Sequence, residues 1–445
     1  MSAKEVYLNA KDKQDSYIID NVNSTHFYSK HQTHTNFAKD IIIIEADKKI
    51  NSDTKFIFGE TIRFDIDKSS DLLLNIKTQF KISGNNWQEP NKIVPETLYS
   101  LIEYIEIVCE DKILQRLTGD WLYILYEGMG KNQKKNIVKT AFASSCNKTN
   151  KTGDTGDNKY ILLLDIPFWF SDNSRLSLPV WALQHQNIHI NLKLRNFTQI
   201  SREDQKENEY TISDINLISE YIELDSREKN KFINTPLEYI IEQVELSGIH
   251  IINGNKSMSN DSNHLDNNKV VRKVINIQKF NLVNELVFFI RQEENNLNSS
   301  GSPGQNKPFT FFNFWKYADG LNRQDHLSDC SITLNGKPIH GKLPGTFFRK
   351  IQKFQLKDSD YGYLPTLNKD TICIESSFNN CIYQYAFALN TSNVMPSGIL
   401  SMDKFNKINL DLYLREHFYS RQINVYVKHF NIIRIENGQL SILNN

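Results

Sequence analysis

The most constraining feature of this 445-residue sequence is a long-range internal repeat. Ile107-Val108-Cys109-Glu110-Asp111-Lys112-Ile113 leads to Leu117-Thr118-Gly119-Asp120-Trp121-Leu122. At a register of 226, Thr333-Leu334-Asn335-Gly336-Lys337-Pro338-Ile339 leads to Leu343-Pro344-Gly345-Thr346-Phe347-Phe348. Each copy reads as a strand, a tight polar turn, a return strand and then Leu-x-Gly-x-aromatic. Three further pairs keep the order: Leu72 to Ile76 with Leu286 to Ile290 (register 214), Leu178-Pro179 with Met395-Pro396 (217), and Ile190 to Leu194 with Ile408 to Leu412 (218). A repeat of this length decides architecture before any motif does. The chain also exceeds the size at which a single core keeps growing, so two similar units are expected.

The units are β. Leu72 to Phe80, Ile102 to Val108, Tyr160 to Phe168, Ile188 to Leu194, Leu286 to Ile290, Ile382 to Leu389, Ile408 to Leu414 and Ile423 to Val427 are short and rich in β-branched or aromatic residues. Within them apolar residues alternate with polar ones, as Leu192 and Leu194 do with Asn191 and Lys193, so each strand offers one face to a core. Helix is sparse. One short helix is expected from Thr118-Gly119-Asp120, with Asp120 as its cap, and a second around Ser226 to Phe232. The polar stretches Gly130 to Asn158, Ser201 to Glu209, Gly254 to Lys269 and Glu293 to Lys307 read as exposed loops. The expected fold is therefore all-β, a double jelly roll: two similar eight-stranded antiparallel sandwiches side by side, with short helices and long loops. Its boundaries are drawn at 1–26 for an N-terminal arm, 27–225 and 238–445 for the two jelly rolls, and 226–237 for the linker between them.

Charge excludes one class of partner. Lys plus Arg and Asp plus Glu each number 52, so no net field exists to hold phosphate backbones, and direct nucleic-acid binding is not expected. A net charge near zero favours self-association instead. Cys109, Cys146, Cys330, Cys373 and Cys381 are odd in number and form no dense disulfide framework, so they are read as reduced thiols. Met1 to Ala10 lacks a signal-peptide pattern, and the longest early aliphatic run is only Ile41 to Ile44, so neither export by signal nor a membrane span is expected. Without a signal, the sequons at Asn23, Asn147, Asn150, Asn196, Asn255, Asn260, Asn298 and Asn390 are read as products of an Asn-rich composition.

No catalytic, cofactor-binding or metal residues are assigned. His26, His31 and His34 fit no zinc spacing and have no Cys nearby. His185 and His189 fall in a stretch that reads as a strand, where residues four apart lie about 13 Å from end to end, too far for one metal. Gly153 to Asp157 lacks the strand-to-helix context of a phosphate loop, and Lys131, Lys134 and Lys135 form a solvated face without interleaved aromatics. Asp225, Arg227 and Glu228 are read as structural ion pairs and helix caps, and Trp121, Trp169, Trp181 and Trp315 as core or interface anchors.

Specific residues then resemble a family. His34 to Ala38, Gly119 to Leu122, Ile166-Pro167-Phe168-Trp169-Phe170 followed by Leu178-Pro179, and Tyr221 to Glu228 with Tyr239 to Val244 are similar, in order, to landmarks of the major capsid proteins of nucleocytoplasmic large DNA viruses. Glu285-Leu286-Val287, Asn313-Phe314-Trp315, Tyr385 to Leu389, Pro396-Ser397-Gly398 and Ile423 to Val427 continue the series. Val394-Met395, where the family usually has His-Gln, and Ile399 to Lys407 depart from it. The resemblance implies a non-enzymatic protein of the virion, assembled in the host cytoplasm as a homotrimeric, pseudo-hexagonal capsomer that tiles an icosahedral shell. It implies neighbouring capsomers, minor capsid proteins, a penton protein and inner viral membrane proteins as partners, and the Gly130 to Asn158 and Glu293 to Lys307 loops are expected to face outward or toward the threefold centre. Two other roles share the fold: a double-jelly-roll scaffold that shapes immature virions, and a carbohydrate-binding protein, which the scarcity of Trp and Tyr in the long loops disfavours.

Overall fold

The structure is a computed structural model that describes residues 36–47, 56–83, 97–128, 159–183, 185–200, 207, 210–255, 269–292, 312, 314, 317–319, 322–352, 381–391, 396–417 and 419–443. The Gly130 to Asn158 and Glu293 to Lys307 loops lie outside the described residues, as does most of Ser201 to Glu209 and Gly254 to Lys269. So do His26, His31, His34, Cys146, Cys373, Trp315 and the sequons at Asn23, Asn147, Asn150, Asn260 and Asn298.

The first half contains β1 (Phe37–Glu45), β2 (Thr61–Asp65), β3 (Leu72–Ser83), β4 (Ile102–Cys109), β5 (Lys112–Thr118), β6 (Lys159–Ile166), β7 (Ile188–Leu194) and β8 (Thr211–Leu224). They form two antiparallel sheets, ordered β1-β8-β3-β6 and β2-β7-β4-β5. The second half contains β9 (Leu237–Ile252), β10 (Val270–Asn276), β11 (Val283–Gln292), β12 (Tyr317–Asp319), β13 (Asn322–Gln324), β14 (Leu327–Leu334), β15 (Lys337–Pro338), β16 (Leu343–Pro344), β17 (Ile382–Ala386), β18 (Ile408–Arg415), β19 (Arg421–Glu436) and β20 (Gln439–Ile442). Its sheets run β9-β19-β11-β17, with β20 also on β19, and β10-β18-β14-β15, with β16 also on β14. Strand for strand the two orders are the same, so the repeat is a repeat of topology.

The second half departs from eight strands for local reasons. Where β5 runs unbroken, its counterpart is split into β15 and β16, each ending in a proline, Pro338 and Pro344, that brings no N–H to a ladder. β12 and β13 add a separate hairpin. Two-residue turns close β14 to β15 and β19 to β20 with Asn335-Gly336 (φ 50° and 80°) and Asn437-Gly438 (φ 51° and 75°), the left-handed pairs that a tight hairpin demands.

Burial follows the alternation. In β2 the side chains of Ile62 and Phe64 point inward, and Thr61, Arg63 and Asp65 point out. β11 is buried along almost its whole length, which suits its unbroken Leu286-Val287-Phe288-Phe289-Ile290 run, because both faces of its sheet are covered. One hydrophobic core runs through both halves.

Bulges and bridges common to the two halves correct the registers expected from sequence. Leu73 exchanges backbone hydrogen bonds with Leu178 (2.8 and 3.0 Å) just before a bulge in β3, and Val283 does the same with Leu400 (2.9 and 2.8 Å) just before a bulge in β11. Leu73 therefore matches Val283, a register of 210 rather than 214, and Leu178 matches Leu400 rather than Met395. Likewise Leu194 opposes Ile102 as Leu414 opposes Leu327, so β7 and β18 align at 220 rather than 218. Alternation fixes register only to within multiples of two; the bulges set the rest.

Two helices were expected and both form, Gly119–Gly128 and Ser226–Asn234. Asp120 is not the cap of the first. The hydroxyl of Thr118 accepts from Trp121 N (3.2 Å), and Asp120 is turned inward. His185 and His189 do not share a strand, since β7 begins only at Ile188 and His185 lies in the preceding turn.

Candidate functional site

The site that this fold builds is the joint between its sandwiches. The end of β5 and the Gly119–Gly128 helix of the first half press against β9, β11 and β19 of the second. Thr118 Oγ1 shares a 2.7 Å hydrogen bond with Tyr426 OH, and the Trp121 and Tyr426 rings lie 5.2 Å apart. Tyr123 stacks on Phe312 at 3.9 Å. Gln243 donates its amide to Leu114 O and accepts from Asn431 Nδ2 at 2.9 Å, while Gln186 Oε1 accepts from Leu440 N at 2.6 Å.

At the centre sits Asp120. Its Oδ1 accepts from Arg195 of the first half (3.1 Å) and Arg291 of the second (3.3 Å), with all three side chains at most 10% exposed. Burial by itself would raise the Asp120 carboxyl, but the Arg291 and Arg195 guanidinium groups outweigh it and hold the carboxyl below its usual range. Burial pulls Arg291 down from its ordinary value, partly opposed by Asp120. A buried carboxylate shared by one arginine from each half ties the two sandwiches at a fixed angle.

The repeated Leu-x-Gly-x-aromatic motif gains a reason here. A Cβ on Gly119 would lie 2.1 Å from Ile102 O, and one on Gly345 would lie 2.7 Å from Leu327 O, so each glycine lets the chain cross the first residue of β4 or β14. The same two carbonyls are held by matching arginines. Arg195 Nε donates to Ile102 O (3.1 Å), and Arg415 donates to Leu327 O and Asp325 O (both 2.8 Å). Sequence reading missed this latch, although Leu194-Arg195 and Leu414-Arg415 were its visible trace.

Other residues singled out from sequence fall elsewhere. His189 is a buried strand residue of β7, and its imidazole is held below its ordinary value by burial and by Arg63. Asp225 stands before the Ser226–Asn234 helix and accepts from Glu228 N and Lys229 N through its backbone oxygen, and Lys229 of that helix pairs with Asp71 (2.9 Å). Trp121 and Trp169 are buried and Trp181 is half-buried. Cys109, Cys330 and Cys381 are buried free thiols. Among the described residues no group of three or more His, Cys, Asp or Glu side chains could hold a metal, and no helix is long and apolar enough to cross a membrane.

Two jelly rolls with one strand order, fused through a buried joint, place the chain in the double jelly-roll class of shell proteins. A family model described as the N-terminus of the major capsid protein matches residues 25–228, and one described as the large eukaryotic DNA virus major capsid protein matches residues 228–441. The chain belongs to the major capsid protein family of the nucleocytoplasmic large DNA viruses. The major capsid protein of Pyramimonas orientalis virus is 23% identical over 439 residues, covering 96% of this chain and 95% of its own length. That of Paramecium bursaria Chlorella virus 1 is 21% identical over 452 residues, with the same coverage of 96% and 95%. A chain of the PBCV-1 capsid superposes with a TM-score of 0.73 at 17% identity, over 95% of this chain and 100% of its own. The Faustovirus major capsid protein gives 0.62 at 9% identity, over 94% and 93%. The role that comes with the family is structural rather than enzymatic: a self-associating capsid component of the virion.

Proposed function

We propose that the chain forms a homotrimer whose six jelly rolls make a pseudo-hexagonal capsomer, and that these capsomers tile an icosahedral shell. The observation that carries this reading is the pair of sandwiches with one strand order, fixed to each other by the Asp120 joint. Two similar units at a fixed angle, repeated about a threefold axis, give a nearly sixfold outline that packs edge to edge, and cyclic symmetry closes the ring. Minor capsid proteins, a penton protein and proteins of an inner viral membrane would then contact its rim and base, with assembly in the host cytoplasm. In this reading the 226–237 segment is the linker between the jelly rolls at 27–225 and 238–445, and 1–26 is an arm.

The test is the mass of the purified full-length protein by light scattering, with negative-stain images of the same peak. A particle of three times 51.8 kDa with a hexagonal outline is expected. A stable monomer at micromolar concentration overturns the capsomer.

A further inference from the structure

The joint inside the chain uses two surfaces, a sheet face from the second half and a hairpin-and-helix end from the first. Because the halves repeat, each surface has a counterpart that the described residues leave unmatched. Strand pairing makes the correspondence explicit: Tyr426 is flanked by Leu246 and Val287, as Ile218 is by Ile43 and Lys77; Lys428 opposes Val244 as Glu220 opposes Ile41. In the second half this face is covered: Val244 is 8% exposed, and Tyr426, Val287 and Phe289 are buried. In the first half the counterparts of Val244 and Leu246, Ile41 and Ile43, are 64% and 60% exposed. A β-branched apolar pair on an edge strand, open to water, marks a contact surface.

The counterpart of the hairpin-and-helix end is the stretch from β16 through the π-helical turn Phe347–Ile351, which places Thr346 where Asp120 stands and Phe347 where Trp121 stands. Phe347 is only half-buried, and Ile339 and Ile351 are exposed.

Charge fits the same match. Across the strands from Arg291 stands the neutral Gln422, and the acid that meets Arg291 comes from the other half, Asp120. Across from Lys81, the counterpart of Arg291, stands Asp214 at 2.6 Å, so the sheet supplies its own counter-charge. The end that would dock there carries Thr346 in place of an acid. At this one position, the docking end carries an acid where the residue across the strands is neutral, Gln422, and none where it is acidic, Asp214.

We infer that the outer face of β1 and β8, centred on Ile41, Ile43 and Ile218, is the contact for a second copy of this chain, which seats its Phe347–Ile351 turn there as Trp121 seats on Tyr426 within one chain. The inference rests on the capsomer reading above and names its surface: a head-to-tail contact that repeats the internal joint between subunits.

The test uses the full-length chain. Ile41→Asp with Ile43→Asp is compared with Ile249→Asp with Ile251→Asp, a pair on β9 that is similarly exposed at 54% and 52%. The first double variant is expected to fall from three chain masses to one in light scattering with unchanged far-UV circular dichroism, and the second to keep the wild-type mass. Independently, Ile218→Cys with Phe347→Cys in one chain is expected to give interchain disulfides on mild oxidation, seen as a ladder in denaturing gels and absent from the wild type. An oligomer that survives Ile41→Asp/Ile43→Asp and shows no ladder overturns this surface while leaving the capsomer intact. A wild-type monomer overturns both.

Discussion

Asparagine at position 120 is the sharpest perturbation of the joint. Asp120→Asn keeps the shape but removes the carboxylate that Arg195 and Arg291 share, their side chains being 10% and 6% exposed. Two guanidinium groups are then left buried near each other without their carboxylate. Breaking a buried ion pair from one side costs about 3–5 kcal/mol, because the surviving charges stay buried after losing their carboxylate. At about 1.4 kcal/mol per decade, that is at least a hundredfold in the folding equilibrium. With a urea slope of about 2–3 kcal/mol/M, the midpoint should fall by about 1–2.5 M. Tryptophan fluorescence is a suitable probe, since Trp121 lies within the joint against Tyr426. The pH dependence has a definite sign. The folded Asp120 carboxyl titrates below its ordinary value, so its contribution is fully present above about pH 4 and drains away as pH falls through the folded value. The gap between wild type and Asp120→Asn should therefore be constant from pH 8 to about 4 and close in more acid solution. Adding Arg291→Met should recover part of the loss, since it removes one of the stranded charges. A gap below about 1 kcal/mol at pH 7, or no recovery in the double variant, would refute the reasoning.

Gly119→Ala and Gly345→Ala should each destabilise their own half by about 1–3 kcal/mol, Gly119 more because its Cβ would sit closer to a backbone oxygen, whereas Gly341→Ala, with nothing within 4 Å, should be near neutral in thermal melts. Asn335→Ala should cost about 2 kcal/mol by denaturant titration, from its left-handed φ of 50° and the loss of the hydrogen bonds that its Oδ1 accepts from Asn406 N (2.8 Å) and Lys407 N (3.1 Å). Asn437→Ala, at φ 51° and without a comparable pair among the described residues, should cost less. Burial, and then Glu110, pushes the Cys109 thiol up to about 11, and burial pushes Cys330 and Cys381 up as well, so these three should resist a disulfide reagent at pH 8 until the protein unfolds. Rapid labelling of any of them in the native state, read by peptide mass spectrometry, would contradict that burial.

The sequence alone carried the architecture. Alternation in segments such as Ile188–Leu194 identified strands, and the recurrence of Leu-x-Gly-x-aromatic at Gly119 and Gly345 identified two copies of one unit, because both signals are local and survive without knowledge of neighbours. Register did not come with them. Leu72 and Leu286 looked equivalent because a period of two repeats itself, and only the bulges after Leu73 and Val283 showed a register of 210. Asp120 shows the same divide at one residue. An acid one position into a helix reads as a cap, since capping is the commonest local use of that residue there. Its actual partners, Arg195 and Arg291, lie 75 and 171 positions away and are brought together only when β7 and β11 close on the joint. The exposure of Ile41 and Ile43 was equally illegible, because an isoleucine run has the same letters whether a second sheet covers it or water does. What is periodic along the chain was settled by the chain; what depends on which surfaces meet was settled only by the way the two sandwiches pack.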